Sequence, residues 1–352
     1  MTFNDIAVQR LHTQHLLKKV DDPVAVVRAF GAVQAQDFNG AKWALALRCT
    51  NATSDSLTAL YNEGALLRTH VLRPTWHFVA PEDIRWMQEL TGPRVHAFLK
   101  HYYKKMELDD AALKKGSAAL VRALEGGNTL TPAECRDVLL QAGFEGTALR
   151  YSFIVMYAKL EALLCSGPMK GKQHTVALLS ERAPQAVSLP RDEALAELTR
   201  RFFTMHGPAT IQDFAWWSSL LITDIKKGIE LAGLKSFAID TATFYYTHNA
   251  SSELHSPTIQ LLPNYDELTV AYKERRPIYN PTLDTEPTYE ALYFHIIMLD
   301  GLVVGGWKWR VEPKQVSVTI NLFKKLSNSE DAALAKAIDG LQDFFGRPVV
   351  RE

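Results

Sequence analysis

The feature that most constrains this fold is a short order of elements that repeats along the chain. Thr131-Pro132-Ala133-Glu134 is a capping box, with proline at the first helical position and a glutamate that can reach back to the cap. A helix to about Gln141 follows, then a turn across residues 143–146. The next helix carries Leu149, Phe153, Met156, Leu160 and Leu163 at helical spacing. Leu163-Leu164-Cys165-Ser166 and Thr175-Val176-Ala177-Leu178-Leu179 read as two strands joined by a basic, glycine-containing tip. Helix, turn, helix and hairpin is the winged-helix order. It recurs downstream. An amphipathic helix from Arg191 to His206 is broken by Gly207-Pro208. Thr210 to Asp213 caps a helix to Ser218, Ile222 to Leu231 forms another, and a strand lies near Ser236 to Ile239. It also occurs upstream, where helices near Ile6 to Leu17, from Asp22-Pro23 to Phe30, and from Asp55 to Tyr61 precede a partly alternating stretch, Leu66 to Val79. That stretch predicts a hairpin with its turn near Arg73-Pro74-Thr75. Pro81-Glu82-Asp83 opens a further helix. The units share pattern and almost no residue identity.

After about residue 257 the character changes. Thr258 to Pro263, Ala291 to Met298, Leu302 to Trp307 and Gln315 to Ile320 read as strands, and Asp300-Gly301 is a strong hairpin turn. Glu330 to Phe345 is a closing helix. The expected class is α+β. Tandem winged helices occupy residues 1–125, 126–188 and 189–256, and a β-rich, barrel-like domain with its closing helix occupies residues 257–352. A length of 352 residues suits several such modules.

Composition excludes more than it selects. Lys+Arg 39 against Asp+Glu 39 gives a net charge of zero, which argues against coating nucleic acid by bulk charge but leaves room for a locally basic groove. Cys49, Cys135 and Cys165 lie far apart and one must be unpaired, which fits a reducing cytoplasm. There is no CxxC or HExxH to support a metal and no Walker A loop or GxGxxG to support a nucleotide cofactor, so no cofactor is expected. The start has no apolar leader core and no run reaches membrane-spanning length, so the expected location is cytoplasmic.

Val33-Gln34-Ala35-Gln36-Asp37 is the stretch with most chemical promise. Its glutamines sit among the apolar Phe30, Val33, Phe38 and Trp43, where an amide is costly to bury unless it finds partners. Most Gln-x-Gln pairs are solvated surface. In a cleft the same amides can hold a water or a sugar oxygen. Asp37 can equally supply a carboxylate or cap a turn.

Five segments together resemble one family. They are Val33 to Gln36; Ala41-x-Trp43-Ala44-Leu45-x-Leu47-Arg48; Arg68 to His77; Leu261-Leu262-Pro263-x-Tyr265-Asp266-Glu267; and Val303 to Lys308. In order, they resemble the bacterial winged-helix DNA glycosylases of the AlkZ and AlkX type. The resemblance implies hydrolysis of the N-glycosidic bond of alkylated nucleotides in double-stranded DNA, with Gln34 and Gln36 matching the family's catalytic Gln-x-Gln. A purine alkylated at N7 is cationic and leaves readily, so two amides suffice to position water against an oxocarbenium-like transition state.

Arg73, Trp76 and His77 are candidates for the mouth of that cleft; for Trp76 and His77 a core role is the commoner alternative. Lys170 and Lys172, on the second wing, can meet phosphates or form a plain solvated turn. Trp307, Lys308 and Arg310 interleave aromatics with positive charge, which suits backbone contact or stacking, though a strand alternating core and solvent gives the same pattern. The acids of Tyr265-Asp266-Glu267 would repel DNA unless paired. The protein is expected to act as a monomer. The competing class is a non-catalytic winged-helix DNA-binding protein or regulator.

Overall fold

The computed structural model describes residues 1–280, 283 and 295–352. The first unit runs α1 (Phe3–Thr13), α2 (Pro23–Phe30), β1 (Ala32–Gln34), α3 (Phe38–Arg48), α4 (Ser54–Glu63), β2 (Leu67–Val71), β3 (Arg73–Val79) and α5 (Ile84–Lys105). Its three strands form an antiparallel sheet in the order β1-β3-β2. The hairpin turns earlier than the sequence predicts. Leu72 takes the left-handed conformation at φ 64, and β3 already begins at Arg73. Leu72 is buried, and its N–H is bonded to Thr91 Oγ1 at 3.1 Å, so a core contact fixes the turn instead of Pro74. Pro74 is tolerated in the strand because the register slips between His70 and Val71, opposite it.

The second unit is α6 (Asp110–Leu124), α7 (Pro132–Gln141), α8 (Ala148–Leu160), β4 (Leu164–Lys170), β5 (Gln173–Leu178) and the short α9 (Leu179–Arg182). Thr131 and Glu134 form the expected reciprocal cap on α7. The third is α10 (Arg191–Met205), α11 (Ile211–Ser218), α12 (Ile222–Ala232), β6 (Lys235–Ile239) and β7 (Ala242–Tyr246). The last region holds β8 (Ile259–Leu262), α13 (Glu267–Val270), β9 (Ile296–Leu299), β10 (Leu302–Val311), β11 (Val316–Leu322), α14 (Asn328–Phe345) and β12 (Val349–Arg351). Its strands form one sheet in the order β12-β11-β10-β9-β8, open at both edges among the described residues, with Asp300-Gly301 turning between β9 and β10. The expected strand from Ala291 falls partly outside the described residues; its described part is β9.

Helix α5 is the spine that joins the units. Its first half (Ile84, Trp86, Met87, Leu90) packs into the core shared with α10, α11 and α12. Its second half (Val95, Leu99, Tyr103) packs into the core of the second unit. At the crossing, a Cβ on Gly92 would lie 3.0 Å from Leu160 O, so only glycine lets α5 pass the end of α8 without a shift. A third core fuses the first unit to the C-terminal sheet through Phe30, Trp43, Tyr61, Leu261, Trp307 and Phe344. Burying such side chains contributes about 1.5–3 kcal/mol each, so the first unit and the last sheet are held as one body. No helix among the described residues is long and apolar enough to cross a membrane.

Candidate active site

The Gln-x-Gln segment lies where β1 runs out. Gln34 is still in the ladder, opposite His77. Ala35 N–H donates to Trp76 O at 2.7 Å, and the chain then leaves the sheet to enter α3. Asp37 is the N-cap of α3, its Oδ1 accepting from Asn39 N–H at 3.1 Å and Gly40 N–H at 3.0 Å. Of the two readings of Asp37, capping is the one its contacts display.

The two glutamines differ. Gln34 is buried, and its Oε1 accepts from Arg73 Nη2 at 2.7 Å. A guanidinium only donates, so the amide oxygen must face it, and the amide orientation follows from chemistry. Gln36 is exposed, and its Oε1 accepts from Trp76 N–H at 3.3 Å. Again the partner can only donate, so Nε2 points away from the strand.

A second layer fixes the backbone. Arg68, on β2, donates to Ala35 O at 3.0 Å and to Gln36 O at 3.3 Å, capping the carbonyls that leave the sheet. Glu267 accepts the Gln34 N–H at 2.7 Å through Oε1; its Oε2 accepts from Trp217 Nε1 at 2.9 Å and pairs with His206 Nε2 at 3.1 Å. Burial works against the Glu267 charge, but the His206 bond, the positive charge of Arg73 and the Gln34 N–H outweigh it and hold the carboxyl below its usual range. The neighbouring Asp266 forms a bidentate pair with Arg48, both contacts 2.8 Å, and caps α13 through Leu268 N–H. Both acids are buried and paired, so neither presents charge to DNA.

His77 is fully buried behind Gln34 and contacts Thr75 O through Nδ1 at 3.0 Å. Burial, aided by the charge of Arg73, pushes its imidazole down to about 3, so it stays neutral near pH 7. Trp76 is half-buried, with Lys159 Nζ 3.9 Å and the Arg68 guanidinium carbon 4.5 Å from its ring centroid. The structure therefore brings Gln34, Gln36, Arg73, Trp76 and His77 into one cluster. The other candidates lie outside that hydrogen-bonded group. Lys170 Nζ is bonded to Thr129 O at 2.8 Å and paired with Glu134 at 3.2 Å, while Lys172 is exposed at the hairpin tip. Trp307 is buried with its indole N–H on Leu262 O at 2.8 Å. Lys308 is exposed, and Arg310 is exposed and paired with Glu312 and Glu352. Sequence reasoning gives Arg68 no role of its own and passes over His174. The available signal was an arginine in a strand otherwise destined for the core.

The family model for AlkZ-like DNA glycosylases matches residues 27–344. This chain belongs to that family. It is thereby a DNA glycosylase of DNA repair, an enzyme that binds DNA. The solved structure of Streptomyces sahachiroi DNA glycosylase AlkZ aligns over 100% of both chains with a TM-score of 0.77 at 18% identity, which establishes the shared fold. No curated protein sequence matches the chain. The family match spans Gln34, Gln36 and Glu267, so the cluster at the end of β1 lies within the shared region.

Proposed function

We propose that the protein is a monofunctional glycosylase that hydrolyses the N-glycosidic bond of N7-alkylpurines in duplex DNA, with Gln34 and Gln36 as its catalytic residues. The observation that carries this reading is the 2.7 Å bond from Arg73 to Gln34 Oε1. It fixes a buried amide at the lip where an exposed second amide, Gln36, stands two residues away. Each amide oxygen keeps a lone pair and each amide nitrogen keeps donors, so together they can orient one water and the sugar. An alkylated, cationic purine needs no strong acid to leave, and the neutral His77 behind the pair supplies none. The positive groups around Gln36 (Arg68, Arg73 and Lys159) make the surroundings basic despite zero net charge, which suits a DNA cleft better than a protein scaffold.

In this reading the three helical units are winged helices. The helix–strand–helix–helix–hairpin order of the first and its β1-β3-β2 sheet support it. The C-terminal strands are an open version of the expected barrel-like domain. Arg73, Trp76 and His77 support the glutamines from within the cluster, and the exposed Lys172 and Lys308 are the candidates for phosphate contact. The protein acts as a cytoplasmic monomer. The deciding experiment offers duplex DNA bearing one N7-alkylguanine and follows release of the free base. Release that leaves an intact abasic site, with no borohydride-trapped adduct, is expected. Failure to release base from any alkylated duplex would overturn the substrate assignment.

A further inference from the structure

Three basic side chains stand beside the Gln-x-Gln segment with no carboxylate partner among the described residues. Arg68 spends its bonds on the carbonyls of Ala35 and Gln36. Lys42 donates to Ser54 and Thr58. Lys159 is 1% exposed, its Nζ lies 3.9 Å from the Trp76 centroid, and burial with the charge of Arg68 pushes its ammonium down to about 7. All three are more than nine-tenths buried. The rings of Phe38 and Trp76 tie them together. Lys42 Nζ lies 5.2 Å and the Arg68 guanidinium 5.7 Å from the Phe38 centroid, and Arg68 and Lys159 share Trp76. The nearest acids do not neutralise them. Asp37 accepts from the N–H groups of α3, and Asp55 forms no ion pair among the described residues.

His174, from β5 of the second unit, closes this group on the solvent side. Its ring meets Phe38 edge-on at 4.7 Å, and its Nδ1 lies 3.2 Å from Tyr61 Oη. It is half-exposed. With Tyr61 donating to Nδ1, the ring proton sits on Nε2, away from the tyrosine. Burial, together with the charges of Arg68, Lys159 and Lys42, pushes this imidazole down to about 4.

Burying unpaired charge is costly, and an arriving phosphate would both complete the pair and restore the charge that burial weakens on Lys159 and Lys42. We propose that the edge of His174, backed by Arg68, Lys42 and Lys159, seats one backbone phosphate of the DNA beside Gln36. The seat spans the first and second units, so it registers the duplex against the catalytic amides. The inference rests on the DNA-cleft reading above, but not on catalysis by the glutamines.

The test uses the full chain and an undamaged duplex in which a single neutral methylphosphonate is walked along each strand. Wild-type affinity should fall about tenfold at one position. In Lys159→Met, affinity for the unmodified duplex should fall by a similar factor, and the methylphosphonate at that position should then cost nothing more. The same variant should melt at a higher temperature without DNA, because a buried amine with no carboxylate partner among the described residues has been replaced by an apolar chain. His174→Gln gives a second, surface-level variant should Lys159→Met fold poorly, and it should show the same loss of coupling. A methylphosphonate penalty that persists undiminished in both variants would overturn the proposal. A melting temperature raised by inorganic phosphate, with no coupling to the duplex, would assign the seat to a free anion and overturn the proposal while leaving the DNA-cleft reading untouched. Binding to undamaged DNA is the readout, so inactivity of the glutamine pair leaves the result interpretable.

Discussion

Arg73 Nη2 donates to Gln34 Oε1 at 2.7 Å, and that bond decides which end of the buried amide is left for a substrate. Without the guanidinium the amide can turn over, and the oxygen and nitrogen exchange places. Arg73→Met should therefore slow the chemical step by about ten- to a hundredfold while changing DNA affinity little, since misplacement costs rate more than binding. Arg73→Lys should recover part of the rate. Single-turnover excision and equilibrium binding, measured together, check this. An affinity loss as large as the rate loss would make Arg73 a DNA contact instead.

The buried Arg48–Asp266 pair joins α3 to the segment that delivers Glu267 beneath Gln34. Arg48→Met leaves Asp266 ionised and stranded, at a cost of about 3–5 kcal/mol. Adding Asp266→Asn should restore part of that loss, because the stranded charge is gone. Denaturant midpoints of the wild type, both single variants and the double variant decide it. Full additivity of the two losses would show that the pair does not act as a unit.

The legible parts of the fold were those with local signals. The caps Thr131-Glu134 and Thr210-Asp213 form as reciprocal boxes, and each starts the helix expected there. Helix α3 was not legible, because Ala41, Lys42, Trp43, Ala44, Leu45, Ala46 and Arg48 are all buried, and a helix buried all round shows no amphipathic period. Helix α6 carries a periodic apolar face, yet nothing in the sequence says that this face meets α7 and α8. At the site, the glutamines were visible because amides among apolar residues need an explanation. Glu267 was visible as an acid but not as the acceptor for Gln34 N–H, since a contact spanning that much sequence has no local signature.

His77 is fully buried and sits at about 3, well below its usual 6.5. A depressed pKa means that the folded state favours the neutral ring. Its stabilisation is complete above the unfolded value and is lost as pH falls from about 6.5 towards about 3, reaching on the order of 5 kcal/mol. Burial shifts His70 and His206 in the same direction. Stability should therefore start to fall below about pH 6.5, earlier than carboxylate titration alone would bring it down. Urea midpoints across that range check this, and His77→Asn should flatten the slope. A midpoint constant from about pH 8 to about pH 4.5 would rule out the linkage.

The two lysines of the second hairpin should separate in a salt titration. Lys172 is exposed at the tip, while Lys170 is held by Glu134 and Thr129. Lys172→Ala should lower the magnitude of the salt slope of DNA binding by about one. Lys170→Ala should lower it less, because its charge is already partly answered within the protein. Equal slopes for the wild type and both variants would remove the hairpin tip from the interface.

The glutamine pair itself makes the sharpest demand. Gln34→Ala removes the buried amide that accepts from Arg73, whereas Gln36→Ala removes an exposed amide that accepts from Trp76 N–H. If both amides position the attacking water, each variant loses a hydrogen bond realised in the transition state, about 2–4 kcal/mol or roughly thirty- to a thousandfold in single-turnover rate. The stability effects should differ. Gln34→Ala should destabilise the fold by about 1–3 kcal/mol, since it removes a hydrogen bond to a charged group, and Gln36→Ala should be nearly neutral. Affinity for DNA should change little in either. Gln36→Asp should keep measurable activity if a carbonyl-type acceptor is what the water needs. Comparing rate loss with stability loss separates the two roles. A Gln36→Ala variant that excises N7-alkylguanine at the wild-type rate would leave Gln34 alone in the chemistry, and the same result for both would make the pair structural.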